Sequence, residues 1–172
     1  MRKLSTILCV STIILAACSS SNQQSGEKKT DSMTVNETSN KPVDAITGKL
    51  TLLSTPKIGE PINIKFTVYN NADTAAKFCK WHTPFENLMS KYVDVTMEDG
   101  TEAAYKGAMA KRVMPPPADS YITLKPGDST SVDFDLNNAF TIDKSGKYTV
   151  KYNSAGISGI VIKDSLQLNI VK

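Results

Sequence analysis

The 172 residues predict an all-β protein: an immunoglobulin-like antiparallel β-sandwich of seven to nine strands with one short helical turn, preceded by a disordered tether. Three observations carry that expectation. From about Ala45 onward the apolar residues recur with a period of two, turn-forming residues punctuate the pattern, and a tyrosine stands two residues ahead of an inward apolar position in a late strand.

Taken in order, Leu50 to Leu52 opens the series. Ile62, Ile64, Phe66 and Val68 follow, alternating with Asn63, Lys65 and Thr67, the signature of a half-buried strand. Ala75 to Cys79 forms a shorter run. Thr83-Pro84-Phe85-Glu86 pairs a capping hydroxyl with proline at the first helical position and glutamate three residues after the cap, which predicts a helical turn over 84–90. Val93, Val95 and Met97 resume the alternation up to Asp99-Gly100, whose glycine supplies the positive φ of a tight hairpin. Tyr121 to Leu124 leads into Lys125-Pro126-Gly127-Asp128, a type II turn pattern, and Val132, Phe134 and Leu136 form the next strand. Tyr148, Val150 and Tyr152 follow Asp143 to Lys147, so Tyr148 occupies the position of a tyrosine corner, whose hydroxyl bonds upstream backbone. Gly156 to Gly159 reads as a glycine-rich hairpin before Ile160 to Ile162, and Leu166, Leu168 and Ile170 make the last strand.

The composition is that of a globular chain, with 40% hydrophobic and 22% charged residues. One histidine, His82, leaves most zinc and Ser-His or Cys-His hydrolase chemistry without its parts. At the N-terminus, Met1-Arg2-Lys3 and the apolar stretch Leu4 to Ala17 form the basic and hydrophobic regions of a secretory signal, too short to span a bilayer. Its end, Leu15-Ala16-Ala17-Cys18, resembles the lipobox of bacterial lipoproteins, which implies lipidation at Cys18. The expected organisation is a signal peptide over 1–17, a lipidated cysteine and flexible linker over 18–44, and a β-sandwich over 45–172. The linker is rich in Ser, Asn, Gln, Lys and Thr. Removal of Arg2 and Lys3 leaves 18 basic residues against 17 acidic ones, a formal charge of +1 that gives no footprint for nucleic acid. Cys9 leaves with the signal and Cys18 is acylated, so Cys79 alone remains and no internal disulfide is expected. The lipid bilayer is then the first expected partner, through Cys18. The expected location is the bacterial cell envelope, at the outer membrane facing periplasm or surface where the organism has one, since Ser19 rather than Asp follows the cysteine.

Several residues invite a chemical reading. Cys79 and His82, with Met89, Met97, Met109 or Met114, have the soft donors of a Cu(I) site, although the methionines are scattered and packing is their ordinary role. Gly156-Ile157-Ser158-Gly159 is one residue short of a nucleophile elbow and lacks the strand-then-helix context. Asp133 and Asp135 lie on the polar face of a strand and read as solvated. Tyr105 to Pro117 is different: it mixes Tyr105, Lys106, Met109, Lys111 and Arg112, contains a flexible Gly107 and ends in three prolines. Two readings of it stand, an extended segment recognised by a groove or cleft, and a long loop covering one end of the sandwich.

The order of motifs from about residue 46 to 155 resembles a known family. Lys80-Trp81-His82-Thr83-Pro84-Phe85-Glu86, the Asp99-Gly100 hairpin, Tyr105-Lys106-Gly107 with Lys111-Arg112, Asp119 to Leu124, Pro126-Gly127 and Gly146 to Val150 are similar to the N-terminal pro-domain of bacterial deuterolysin-like (aspzincin) zinc endopeptidases. In that family the pro-domain is a β-sandwich that covers the catalytic domain and keeps it inactive. These 172 residues contain no H-E-x-x-H motif. The resemblance therefore implies a stand-alone lipoprotein that is not an enzyme and binds no cofactor. It would act as a pro-domain-like inhibitor or binding partner of a secreted or periplasmic zinc metallopeptidase. It further implies that Tyr105, Lys106, Met109, Lys111 and Arg112, supported by Trp81 and His82, carry partner binding, with Lys106 or Lys111 in a lysine-preferring specificity pocket. The other readings are a generic immunoglobulin-like envelope binding or structural lipoprotein and a periplasmic copper-binding protein. For the anchor, Cys18→Ser is expected to abolish fatty-acid labelling and block signal removal; unchanged labelling would exclude Cys18 as the acceptor.

Overall fold

The computed structural model describes residues 44–172; the expected signal segment, Cys18 and nearly all of the tether lie outside the described residues. Eight strands form three antiparallel sheets. The first sheet has the order β1 (Ile46–Leu52), β2 (Asn63–Asn70), β6 (Ser129–Asp135). The second has β4 (Val93–Met97), β7 (Gly146–Tyr152), β8 (Leu166–Ile170), and a two-stranded ribbon pairs β3 (Ala76–Cys79) with β5 (Tyr121–Leu124). The register puts Phe66 opposite Leu50 and Val132, and Val150 opposite Val95 and Leu166.

The period of two is what makes this a sandwich. Ile64, Phe66 and Val68 on β2, and Tyr148, Val150 and Tyr152 on β7, are buried, while Lys147, just before Tyr148, and Lys151, between Val150 and Tyr152, are exposed. The two central strands meet through Phe66 and Tyr152, whose ring centroids lie 5.5 Å apart. Phe134 on β6 meets Tyr92, beside β4, edge-on at 5.5 Å. One hydrophobic core results, shared by all eight strands and free of any disulfide, with Cys79 a buried thiol.

The corners behave as the turn residues predict. Gly100 (φ 86°) closes the β4 hairpin with its N–H on the Met97 carbonyl. Gly127 (φ 73°) lets Asp128 N–H reach the Lys125 carbonyl. Tyr148 donates its hydroxyl to the Lys144 carbonyl at 2.9 Å, completing the tyrosine corner.

Other local expectations need correction. Residues 84–90 form no helix: the Phe85 side chain enters the core, the Glu86 carboxylate turns back, and the chain leaves as an irregular turn. The helical turns lie elsewhere, at α1 (Leu136–Ala139), α2 (Ala155–Ser158) and a 3₁₀ turn over Ala118–Ser120. Strand β6 stops at Asp135 because its Oδ1 accepts from Asn137 N–H (3.0 Å) and Ile62 N–H (2.9 Å). Asp135 is thus a cap and a tie between segments, not a solvated carboxylate, whereas Asp133 is exposed. Gly156 to Gly159 is not a hairpin; Gly159, at φ 78°, ends α2 as a left-handed cap. Ile160 to Ile162 contributes one parallel bridge, Val161 to Thr47, rather than a strand.

Asn70 is a fastening that no pattern announced. Its buried amide donates to the carbonyls of Thr74 (2.8 Å), Lys125 (3.0 Å) and Leu124 (3.1 Å), and its Oδ1 accepts from Ala72 N–H (3.0 Å). One side chain thereby joins the end of β2 to β5 and the following turn. In urea unfolding, Asn70→Ala is expected to cost about 2–3 kcal/mol because buried carbonyls lose their donor, against about 1 kcal/mol for Tyr148→Phe. Reductant should leave both midpoints unchanged, and equal costs for the two variants would contradict this ranking.

Candidate functional site

A rigid corner and the strap that crosses it form the candidate site. The corner begins after β3. Thr83 is fully buried; its hydroxyl donates to the Lys80 carbonyl (2.6 Å) and accepts from Phe85 N–H (3.1 Å), which folds the chain back on itself. Phe85 packs against Phe78 (5.3 Å) and Phe66 (6.0 Å), pinning the corner to the core. His82 takes the left-handed conformation, φ 57°, uncommon for a residue with a side chain. The Tyr152 hydroxyl lies 3.1 Å from its carbonyl and 2.7 Å from Ser158 Oγ, tying the corner to β7. Burial pushes that phenol well above its usual range, so it stays protonated.

Glu86 gives the corner its second task. Oε1 accepts from His82 N–H (2.9 Å) and Ser90 Oγ (3.3 Å), and Oε2 accepts from the Arg112 guanidinium. The side chains of the pair are 12% and 24% exposed, so the carboxylate is largely withdrawn from water and its three donors stand in for hydration. Arg112 also lies over the Trp81 ring, 4.7 Å from centroid to guanidinium carbon. Stacking comes at the expense of Arg112 Nε, which is buried with no partner among the described residues. Beside this clamp is a shallow pocket lined by Lys80, Trp81, Phe85, Glu86, Asp119 and Ser120.

The strap, residues 103–117, is held at several further points. Ala103 N–H donates to the Val95 carbonyl (2.8 Å), Thr141 N–H to Ala104 (2.9 Å), Lys106 N–H to Ala139 (2.8 Å) and Ala110 N–H to Met89 (2.8 Å). Tyr105 packs edge-on against Phe140 at 5.4 Å, and its hydroxyl donates to the Ala108 carbonyl at 2.8 Å. The Tyr105 pKa is raised by burial first and by the Glu86 charge second, so the hydroxyl remains a donor at neutral pH. Gly107, which the sequence offers as a flexible point, is closely packed. A Cβ there would lie 2.4 Å from Tyr105 Oη and 2.9 Å from Leu88 Cδ2, so a side chain at this position would displace the Tyr105 hydroxyl or the Leu88 methyl.

The expected partner-binding residues thus divide. Trp81 and Arg112 are brought together as a strut, Tyr105 is folded onto its own loop, and His82 serves through its backbone. Lys106, Met109 and Lys111 project from the strap, joined by Val113 and by Met114, which the sequence offers only as a soft metal donor. Met109, Val113 and Met114 are 71%, 85% and 63% exposed, a concentration of apolar surface on one loop. Glu86 was also missed as a strap anchor, because its spacing from Thr83 has the form of a helix cap. Among the described residues no group of three or more His, Cys, Asp and Glu side chains is placed to hold a metal ion.

Comparison with known proteins adds the following. A family model described as an immunoglobulin-like domain matches residues 49–156. The chain is similar to a neutral protease 2 homolog of Arthroderma gypseum, 28% identical over 89 residues, 51% of this chain and 24% of that protein. A probable neutral protease 2 homolog of Arthroderma otae is 25% identical over 117 residues, 62% and 32% of the two chains. An extracellular protease of Aeromonas hydrophila is 27% identical over 94 residues, 54% and 26%. The chain therefore spans between about a quarter and a third of the length of these relatives. Among solved structures, a beta-glucosidase from Listeria innocua aligns over 74% of this chain and 16% of that one at 17% identity and a TM-score of 0.34, too slight a likeness to carry an argument.

The clamp yields a stability expectation. Glu86→Ala should cost about 1–3 kcal/mol, discounted from a fully buried pair for its residual exposure, and should speed limited proteolysis within 103–117. Lys57→Ala, which breaks an exposed pair with Glu60 at 3.4 Å, should change stability by less than about 0.5 kcal/mol. Urea midpoints and mass-mapped cleavage sites check both; an unchanged strap in Glu86→Ala would contradict the role assigned to the carboxylate.

Proposed function

The chain belongs to the immunoglobulin-like domain family, and from that premise we propose that it is a peptidase-binding module, an inhibitor or binding partner that acts as a protease pro-domain does. The observation that carries the proposal is the pairing of two facts. The matched relatives are proteases by name, and this chain corresponds to a minor share of their length. The same chain holds an extended strap on a rigid corner, with Lys106, Met109, Lys111, Val113 and Met114 facing solvent.

The physical case is one of preorganisation. A loop that must be ordered on binding forfeits roughly 0.5–1.5 kcal/mol for each immobilised long side chain. Here the strap is already fixed by four backbone hydrogen bonds and the Glu86–Arg112 clamp, so the cost falls mainly on the projecting side chains. Residues 105–117 contain no acid and three cations, of which Lys106 and Lys111 are exposed and Arg112 is paired with Glu86. The surface that fits them is a cleft with negative charge, which supports a peptidase active site, by resemblance that of a zinc endopeptidase. Lipidation at Cys18 would hold the module at the bacterial envelope, where secreted or periplasmic peptidases pass; both the anchor and that location belong to the proposal. No step of catalysis falls to this chain under this reading.

The test is inhibition of the Aeromonas hydrophila extracellular protease by the purified chain. Wild type is expected to inhibit, and the double variant Lys106→Ala, Lys111→Ala to lose on the order of thirtyfold or more, the effect of about 2 kcal/mol. Lys163→Ala, at an exposed pair with Asp44, should match wild type. A folded double variant as potent as wild type would remove the strap from the interface, and copper retained through purification would favour a metal-binding role instead.

A further inference from the structure

Resting on the peptidase-binding reading, we infer that Lys111, not Lys106, is the residue taken by the partner's specificity pocket, and that residues 109–114 are presented as a substrate would be. The difference between the two lysines lies in their backbones. A peptide lying in a protease cleft pairs its main-chain N–H and C=O with the enzyme, in the manner of an added strand. The Lys106 N–H is already donated to Ala139, and the residue after it, Gly107, lies under the Tyr105 ring. Lys111 is exposed, and among the described residues neither its N–H nor its C=O has a partner.

The anchors stand on either side of Lys111. Immediately before it, Ala110 N–H is held by the Met89 carbonyl at 2.8 Å; immediately after it, Arg112 is held by Glu86 and Trp81. The central residue is therefore fixed in position yet bare. Its neighbours set the character of the partner. Arg112 is neutralised by Glu86, so Lys111 carries the free charge of the 109–114 stretch, flanked by exposed Met109, Val113 and Met114. A cleft complementary to this stretch has one acidic pocket between apolar subsites.

The same anchors predict slow turnover. Hydrolysis of the peptide bond beside Lys111 consumes one water, breaks the C–N bond, and leaves a carboxylate on one side and an amine on the other. Both new ends stay in place, one through Ala110 and Met89 and the other through Arg112, Glu86 and Trp81. Held ends keep the effective concentration of each fragment in the cleft high, so the cut chain remains bound.

Two measurements on the whole chain test this. In the first, a lysine-specific endopeptidase is the probe, and the first cut within residues 44–172 is mapped by mass spectrometry. The expected site is Lys111, at least about tenfold faster than Lys106, with both fragments co-eluting in native gel filtration; a first cut at Lys106, or fragments that separate, would overturn the inference. In the second, Lys111→Glu and Lys106→Glu are compared as inhibitors of the Aeromonas hydrophila protease, with thermal melts confirming folding. Lys111→Glu is expected to lose roughly thirtyfold or more and Lys106→Glu less than about threefold. Equal losses, or a larger one at Lys106, would overturn the assignment to Lys111 and leave the peptidase-binding reading standing. A wild-type chain that does not inhibit would overturn that reading, and the claim on the partner's pocket with it, while the first measurement would still judge how Lys111 is presented.

Discussion

The exposed face of this domain depends on one carboxylate. Glu86 is largely buried, and a buried carboxylate must find donors or give up its charge. It finds three from three directions: the His82 amide within its own turn, the Ser90 hydroxyl where the chain leaves, and the Arg112 guanidinium on the strap. A charge-assisted hydrogen bond of this kind contributes about 1.5–3 kcal/mol, more than the closure entropy that separates a loop of this length from one half as long. Arg112 then covers Trp81, and Met109 and Lys111 just before it stay exposed. The corner is thus a structural device whose product is the strap's geometry.

That geometry is transmitted from the core. Phe85 stands beside Glu86 in sequence and packs against Phe66 and Phe78, and Phe66 in turn meets Tyr152 across the sandwich. Tyr152 then reaches back to the His82 carbonyl. A closed circuit of contacts runs from the strap anchor through both central strands and returns to the corner. Preorganisation of the strap is therefore paid for by ordinary hydrophobic burial in the sandwich. The cationic, acid-free surface of the strap is held in shape by these contacts, with Cys79 a free thiol.

The strands were legible because a half-buried strand leaves a local mark, alternation of apolar and polar residues, and β2, β4, β7 and β8 each carry it. The tyrosine corner was legible for the same reason: Tyr148, its spacing to Val150 and the turn before it lie within eight residues. What escaped detection depends on partners distant in sequence. Asn70 at the end of a strand looks like a turn residue until Leu124 and Lys125 supply their carbonyls. Asp135 looks solvated until Ile62 arrives from another segment. Gly107 looks like a point of flexibility, but the hydroxyl end of Tyr105 occupies the space a side chain would enter. Glu86 has the spacing of a capping residue and does bond the corner's backbone, yet no helix follows, since Phe85 is committed to the core and Met89 to the strap. The segment proposed to bind a partner stands out by its composition, whereas its division into struts and projecting residues depends on Glu86 and Trp81, which are distant in sequence.

The central claim is that the strap faces a peptidase, and hydrogen exchange on the complex tests it most directly. The chain would be exchanged alone and with saturating Aeromonas hydrophila extracellular protease, and protection mapped by peptide mass. The account predicts new protection concentrated in residues 109–114, with the β6 edge and the β7–β8 sheet unchanged. Protection confined to a sheet edge, with residues 109–114 exchanging as fast as in the free chain, would contradict it.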